Sequence, residues 1–195
     1  QSILIWMIGV PSLLLTFWAV FGFRILNRTT GLKASPVDAI LVTIASIWLG
    51  YRLSWLIPGA SAVIFLADAV MEDSKQRHVF PGLLTAGISI YLLVSDYTPW
   101  TGHGNYPIKL GIVAMISLGF FFVINVNGNI KSRADETDEV LYGPRIQLVQ
   151  TLALFLAILI PLWSGVYGFH QSVTLWSVLG ASTLTLTVNV LGFRK

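Results

Sequence analysis

The chain has 195 residues and a formal net charge of +3; 55% of its residues are hydrophobic, and only 11% are charged. A soluble domain carries roughly 25% charged residues, and a chain this short needs a polar surface in water, so the composition excludes an ordinary soluble domain. The absence of cysteine excludes disulfides and thiolate chemistry. Charges lie between long apolar runs, which predicts an all-α, polytopic transmembrane helix bundle that forms one domain over residues 1–195.

The first predicted span covers residues 2–26, where Pro11 is expected to introduce a kink. The next helix has a strong start signal. Ser35 can cap it, Pro36 suits its first turn, and Asp38 favours the positive end of the helix dipole. The sequence therefore predicts that a second span begins here.

Residues 37–71 are almost uninterruptedly apolar. One helix of that length would extend about 50 Å, well over the thickness of a bilayer core. The chain must therefore fold back, and we predict two short spans, 37–53 and 56–71, with a turn near Arg52. The alternative is one full span followed by a re-entrant segment.

Four further spans follow, so that the predicted total is about seven. The predicted spans are residues 79–94, 107–126, 146–169 with an internal Pro161, and 173–193. The longest and most charged loop, 127–145, separates the fifth span from the sixth, and its acidic run is expected to be solvated.

The distribution of basic residues predicts the orientation. With seven spans and the N-terminus outside, only Arg52 and Lys109 fall in outside segments. The ten inside residues are Arg24, Arg28, Lys33, Lys75, Arg77, Lys131, Arg133, Arg145, Arg194 and Lys195. Because positive residues accumulate inside, this bias predicts an outside N-terminus and an inside C-terminus. We expect the plasma or inner membrane.

Aromatic residues favour the same orientation. Trp and Tyr prefer the membrane interface, because each has an apolar body and a polar tip. Those near the predicted outer face are Trp48, Tyr51, Trp55, Tyr97, Trp100, Tyr106, Trp163 and Tyr167. We interpret them as lipid anchors, with a ligand-binding aromatic mouth as the alternative.

Seven spans with an outside N-terminus resemble the topology of the microbial rhodopsins. A retinal Schiff base needs a lysine inside the last span, and Lys195 lies beyond the end of that span. The histidines, His78, His103 and His170, lie at span edges without the spacing of haem or metal ligands. We therefore expect no cofactor and no metal.

A Gly-rich loop at residues 102–105 resembles the G-x-G-D motif of intramembrane aspartyl proteases. Asn105 stands where that motif has its aspartate, and an amide cannot act as a general base. We identify no catalytic residue, so the sequence favours a protein that is not an enzyme.

Three polar residues within or beside predicted spans are candidate buried or pathway residues. Arg52 lies at a turn, Asp68 lies one turn before the end of its span, and Asn189 lies on the polar face of the last span with Ser182 and Thr185. Ionisable groups at membrane depth are generally functional. The alternatives are that Arg52 snorkels outward and that Asp68 reaches the inner interface.

Two function classes are consistent with these features. The first is a non-catalytic integral membrane subunit that packs as a scaffold or anchor within a larger complex. The second is a small transporter or channel for an ion or solute. We expect the partners to be the lipid bilayer and other membrane subunits or further copies of this chain, and we expect no nucleic acid, since no basic groove with interleaved aromatic residues is present.

Overall fold

The computed structural model describes residues 12–28, 34–71, 78–95, 107–126 and 140–190. Within these ranges the chain is all-helical, with seven α-helices and no β-strand, which confirms the predicted fold class at this level. The helices are α1 (Leu13–Asn27), α2 (Pro36–Arg52), α3 (Leu56–Val70), α4 (Val79–Val94), α5 (Pro107–Val126), α6 (Gly143–Gln171) and α7 (Val173–Val190). Pro11, most of the charged loop residues and Lys195 lie outside the described ranges.

The start of α2 is the capping box that the sequence predicts. The Ser35 hydroxyl accepts a hydrogen bond from the Asp38 backbone N–H at 3.1 Å, and the Asp38 carboxylate accepts one from the Ser35 N–H at 3.0 Å. Pro36 occupies the first turn. These bonds satisfy donors that the first turn of a helix otherwise leaves without partners.

The apolar stretch from residue 37 to 71 forms two helices, α2 and α3, and the chain turns directly after Arg52. Ser54 makes this turn possible. Its hydroxyl accepts from the Leu56 N–H at 3.2 Å, and its backbone carbonyl accepts from the Ile57 N–H at 3.1 Å. Because Ser54 is fully buried, the turn is packed into the protein.

Helices α3 and α4 form a tight antiparallel pair in which small residues face larger neighbours. A Cβ on Gly59 would lie 2.9 Å from the Ser89 hydroxyl, and one on Gly82 would lie 2.9 Å from the Leu66 side chain. Gly59 lies early in α3 and Ser89 lies late in α4, whereas Leu66 lies late in α3 and Gly82 lies early in α4. The two backbones therefore approach closely along their whole length.

Contacts at the helix ends indicate that successive helices alternate in direction: the end of α3 meets the start of α4, and Gln147 at the start of α6 donates to the Ile124 carbonyl at the end of α5 at 3.3 Å. Trp18 of α1 donates to Ser61 of α3 at 2.8 Å, and Thr16 of α1 is hydrogen-bonded to Thr174 of α7 at 2.9 Å. We call one end of the bundle the Arg28 end, where α1 and α3 end and α2, α4 and α6 begin. The opposite end is the Arg52 end.

Helix α6 is interrupted near its end. Pro161, which lies inside the predicted sixth span, is a typical site for a kink, but the residue with a non-helical backbone is Gly165, at φ 60° and ψ −144°. This conformation is essentially confined to glycine. Pro161 has no backbone N–H and so cannot donate the usual helical hydrogen bond to the preceding turn. The backbone departs from helical geometry four residues later, at Gly165, which has no Cβ.

Among the described residues, α6 alone is long and apolar enough to cross a membrane by length and composition, which is a weak indication of membrane association. The shorter apolar helices include α1, α3 and α4, of 15, 15 and 16 residues. Fifteen residues of α-helix extend about 22 Å, less than the roughly 30 Å of a bilayer core. The seven-span arrangement therefore stays a prediction.

Candidate functional site

A buried carboxylate lies at the Arg28 end of the bundle, on the last turn of α3. Asp68 is 1% exposed. Its Oδ1 accepts hydrogen bonds from Arg28 Nη2 at 2.8 Å and from Arg145 Nη1 at 2.6 Å. Its Oδ2 lies 2.7 Å from His78 Nδ1. We call these four residues the Asp68 cluster.

Four helix ends bring the cluster together. Arg28 is the residue that ends α1, and it adopts a left-handed backbone with φ 48°. His78 immediately precedes α4, and Arg145 lies in the first turn of α6. The four residues are far apart in sequence, so the cluster exists only when α1, α3, α4 and α6 are packed.

Arg145 also contacts the end of α1. Its Nη1 donates to the Leu26 carbonyl oxygen at 3.2 Å, in addition to the Asp68 carboxylate. Carbonyl groups in the last turn of a helix carry partial negative charge and have no partner within the helix. One guanidinium therefore joins the C-terminal ends of two helices, α1 and α3.

The electrostatics of the cluster are favourable for an ionised carboxylate. Burying a lone carboxylate costs several kcal/mol or more, whereas charge-assisted hydrogen bonds from guanidinium groups are short and strong. Asp68 receives two such bonds, and His78 must carry a proton on Nδ1 to donate the third. The bonds occupy both carboxylate oxygens, so the arrangement stabilises the packing of the helix ends.

The three residues singled out from the sequence occupy separate places. Asp68 is the centre of the cluster. Arg52 is the last residue of α2 at the opposite end, where it is exposed and its guanidinium carbon lies 5.2 Å from the Trp48 ring centre. The Asn189 side chain lies outside the described residues. That these residues line a pathway stays a prediction.

The rest of the predicted polar face of α7 is only partly packed. Thr185 is exposed, and its hydroxyl donates to the Ala181 carbonyl of its own helix at 2.9 Å. The Ser182 hydroxyl donates to the Val178 carbonyl in the same way. Both hydroxyls are therefore satisfied within their own helix.

Sequence reasoning did not identify the partners of Asp68. The predicted topology has Arg28, His78 and Arg145 on the same side of the membrane as the end of α3. This shared side is the one feature of the sequence that could indicate their pairing with Asp68. An acidic residue inside an apolar helix requires a basic partner at its own depth. Which of the basic residues supply it depends on how each helix is rotated in the bundle.

The described residues contain no group of three or more His, Asp or Glu side chains that could hold a metal ion. The cluster has one acidic and three basic side chains, a composition suited to anchoring helices. No family model, curated protein or solved structure matches this chain, so the function is argued from the geometry of its own residues.

Proposed function

We propose that the chain is an integral membrane protein with a structural role, as a subunit that packs against other membrane proteins within a larger complex. The observation that carries this proposal is the exposure of many large apolar side chains on the surface of the bundle, around an apolar core that also contains hydrogen-bonded polar groups. The core resembles that of a soluble protein, and the apolar exterior is the feature that differs.

The exterior is apolar on every helix. Phe80 is 74% exposed and Met115 is 76% exposed. Further exposed side chains of this kind are Leu13, Ile40, Ile44, Val63, Leu83, Leu118, Phe121, Phe122, Phe155 and Leu184. Soluble monomers rarely expose contiguous apolar patches of more than a few hundred Å², whereas lipid or another membrane protein would cover such a surface at no cost.

Aromatic residues at the Arg52 end support a membrane location. Trp48, Tyr51 and Tyr167 are exposed in the last halves of α2 and α6, and the exposed guanidinium of Arg52 lies over the Trp48 ring. Exposed Trp and Tyr side chains are typical of the interface between lipid and water. Their position agrees with the outer face that the basic residues predict.

The interior supports a structural role over transport. Two hydroxyl groups bond to backbone carbonyls of the turn between α2 and α3: Ser89 donates to Trp55 at 2.9 Å, and Ser164 donates to Leu53 at 3.1 Å. Asp68 accepts three hydrogen bonds from its own chain. These polar groups hold helices together, and their bonds would have to break before they could carry an ion or solute.

The proposal is tested by photo-crosslinking in native membranes. A photoreactive amino acid replaces an exposed residue on one of three helices, Phe80, Phe122 or Tyr167, and Phe120, which is 3% exposed on the same helix as Phe122, serves as the buried control. We expect at least one exposed position to give a discrete protein adduct at high yield, and the control to crosslink only within the chain.

A second measurement separates the two function classes. The purified chain is reconstituted into vesicles with a potassium or proton gradient, and its flux is compared with that of empty vesicles. We expect no difference. Adducts to lipid alone at all three exposed positions would contradict the subunit proposal, and gradient dissipation by the purified chain would favour the transporter or channel.

A further inference from the structure

The outward side of α2 carries an apolar stripe that has a charged residue at each end. Asp38 lies in the first turn of the helix, and Arg52 is its last residue. The exposed side chains between them recur every three or four residues, so they share one side of the helix. They are Ile40, Ile44, Trp48 and Tyr51, with exposures from 39% for Tyr51 to 61% for Ile44. We call them the α2 stripe.

Both charged groups are held close to the helix. The Asp38 carboxylate accepts the Ser35 N–H at 3.0 Å within the capping box. The Arg52 guanidinium carbon lies 5.2 Å from the centre of the Trp48 ring, one turn back along α2. Long side chains of a helix lean toward its N-terminus. The Arg52 side chain therefore runs back over the stripe, whereas a snorkelling arginine would extend past the helix end and lengthen the apolar region.

The α2 stripe is shorter than a bilayer core is thick. From Asp38 to Arg52 the helix rises about 21 Å, at 1.5 Å per residue, whereas the core of a typical bilayer is about 30 Å thick. Tilting the helix would only reduce the thickness that the stripe covers. Helix α3, which follows α2 after the buried turn at Ser54, is no longer, with 15 residues.

Helix α6 gives the other side of the bundle a different length. It rises about 33 Å from Gly143 to its interruption at Gly165, enough to cross a typical core. Phe155, in the middle of this segment, is 57% exposed. The two sides of the bundle therefore match apolar layers of different thickness.

We propose, on the basis of the membrane location proposed above, that the chain thins the bilayer beside α2 and that phospholipids with short acyl chains cover the α2 stripe. A charged side chain at the depth of the hydrocarbon is costly, and a bilayer can thin around a short apolar segment at modest cost. Zwitterionic headgroups complement both ends of the stripe, because the phosphate group pairs with Arg52 and the ammonium group with Asp38.

Lipid preference is tested with a fluorophore on a single introduced cysteine, since the chain has none of its own. Ile44→Cys reports the middle of the α2 stripe. The purified chain is reconstituted into vesicles of dimyristoleoyl or dierucoyl phosphatidylcholine, which differ only in chain length, with a small fraction of nitroxide-labelled dioleoyl phosphatidylcholine as quencher. We expect the short-chain host to displace the quencher from Ile44→Cys at least about twofold more effectively than the long-chain host.

Two controls separate the α2 stripe from the rest of the surface. Phe155→Cys carries the same fluorophore on α6, where we expect no preference for the short chain. Arg52→Leu, added to Ile44→Cys, removes the charge at one end of the stripe and should abolish the preference there. Arg24→Leu removes the same charge from an exposed position on α1 and should leave the preference at Ile44→Cys unchanged.

Four results would overturn the proposal that short-chain lipids cover the α2 stripe. Equal or better displacement by the long-chain host at Ile44→Cys, the same short-chain preference at Phe155→Cys, or an unchanged preference in Arg52→Leu would do so and leave the membrane location intact. Quenching at Phe155→Cys alone would show that protein covers α2. An absence of quenching at both positions in every host would overturn the membrane location as well.

Discussion

Arg145 and Asp68 are separated by 77 residues, and yet their side chains approach to 2.6 Å in the buried Asp68 cluster. Arg145 lies in the first turn of the sixth helix and Asp68 in the last turn of the third, so this contact joins the two halves of the chain. The Arg145 side chain is 5% exposed and that of Asp68 is 1% exposed. A pair this deeply buried is costly to break, because the residue that remains keeps an uncompensated charge.

We therefore predict that Asp68→Asn destabilises the fold. Asparagine keeps the size of the side chain but removes the negative charge between two arginines. The free energy of unfolding should fall by about 3–5 kcal/mol, as is typical when one partner of a buried ion pair is lost. Detergent-induced unfolding followed by circular dichroism measures this change.

Asp38→Asn is the matched control, because Asp38 is partly exposed in the first turn of α2. Its loss of charge should cost only about 0.3–1 kcal/mol. Equal effects of the two substitutions would mean that the cluster does not hold the helices together.

The two arginines of the cluster should differ in their tolerance of lysine. The Arg145 side chain is 5% exposed and also bonds the Leu26 carbonyl, whereas the Arg28 side chain is 12% exposed. Lysine is more strongly hydrated than arginine and lacks its planar fork of donors. We predict that Arg145→Lys costs about 1–3 kcal/mol and that Arg28→Lys costs less, because its side chain is less buried.

The same unfolding measurement compares these two variants, each of which keeps its positive charge. The difference between them therefore reports hydrogen-bond geometry and burial. A larger loss for Arg28→Lys would contradict the view that Arg145 is the central cation of the cluster.

The positions of the helices could be predicted from the sequence because their causes are local. Apolar runs and the capping residues Ser35 and Asp38 lie next to the segments that they define, and the turn after Arg52 follows from the excessive length of one helix. The partners of Asp68 could not be predicted in this way. Their pairing depends on the rotation of four helices, and many rotations bury similar apolar surface.

The interruption of α6 shows a second limit of local reasoning. Pro161 is a visible signal for a kink, but the backbone departs from helical geometry at Gly165. A proline weakens the turn around it, and the tertiary packing then selects the residue at which the chain bends. Gly165 accepts the bend because it has no Cβ.

We predict that Gly165→Ala destabilises the chain by about 1–3 kcal/mol, the cost of a strained non-glycine backbone. A suitable control is Gly87→Ala within α4, where an added Cβ would meet nothing within 4 Å. That change should be neutral or stabilise by about 0.5–1 kcal/mol, because alanine favours a helix interior. Unfolding of both variants in the same detergent tests the pair, and a tolerant Gly165 would contradict the geometry of the bend.

The last prediction concerns membrane topology, with the N-terminus outside and the C-terminus inside. The wild-type chain has no cysteine, so a single introduced cysteine reports one position. We expect His103→Cys to react with a membrane-impermeant thiol reagent in intact cells, and Arg133→Cys to react only after the membrane is opened.

This expectation is based on the excess of basic residues in alternate loops. The alternation of the seven helices is consistent with it, because successive connections then fall at opposite ends. Both positions lie outside the described residues, so the labelling is an independent measurement. The reverse pattern would invert the topology, and labelling of both positions in intact cells would contradict a membrane-spanning bundle.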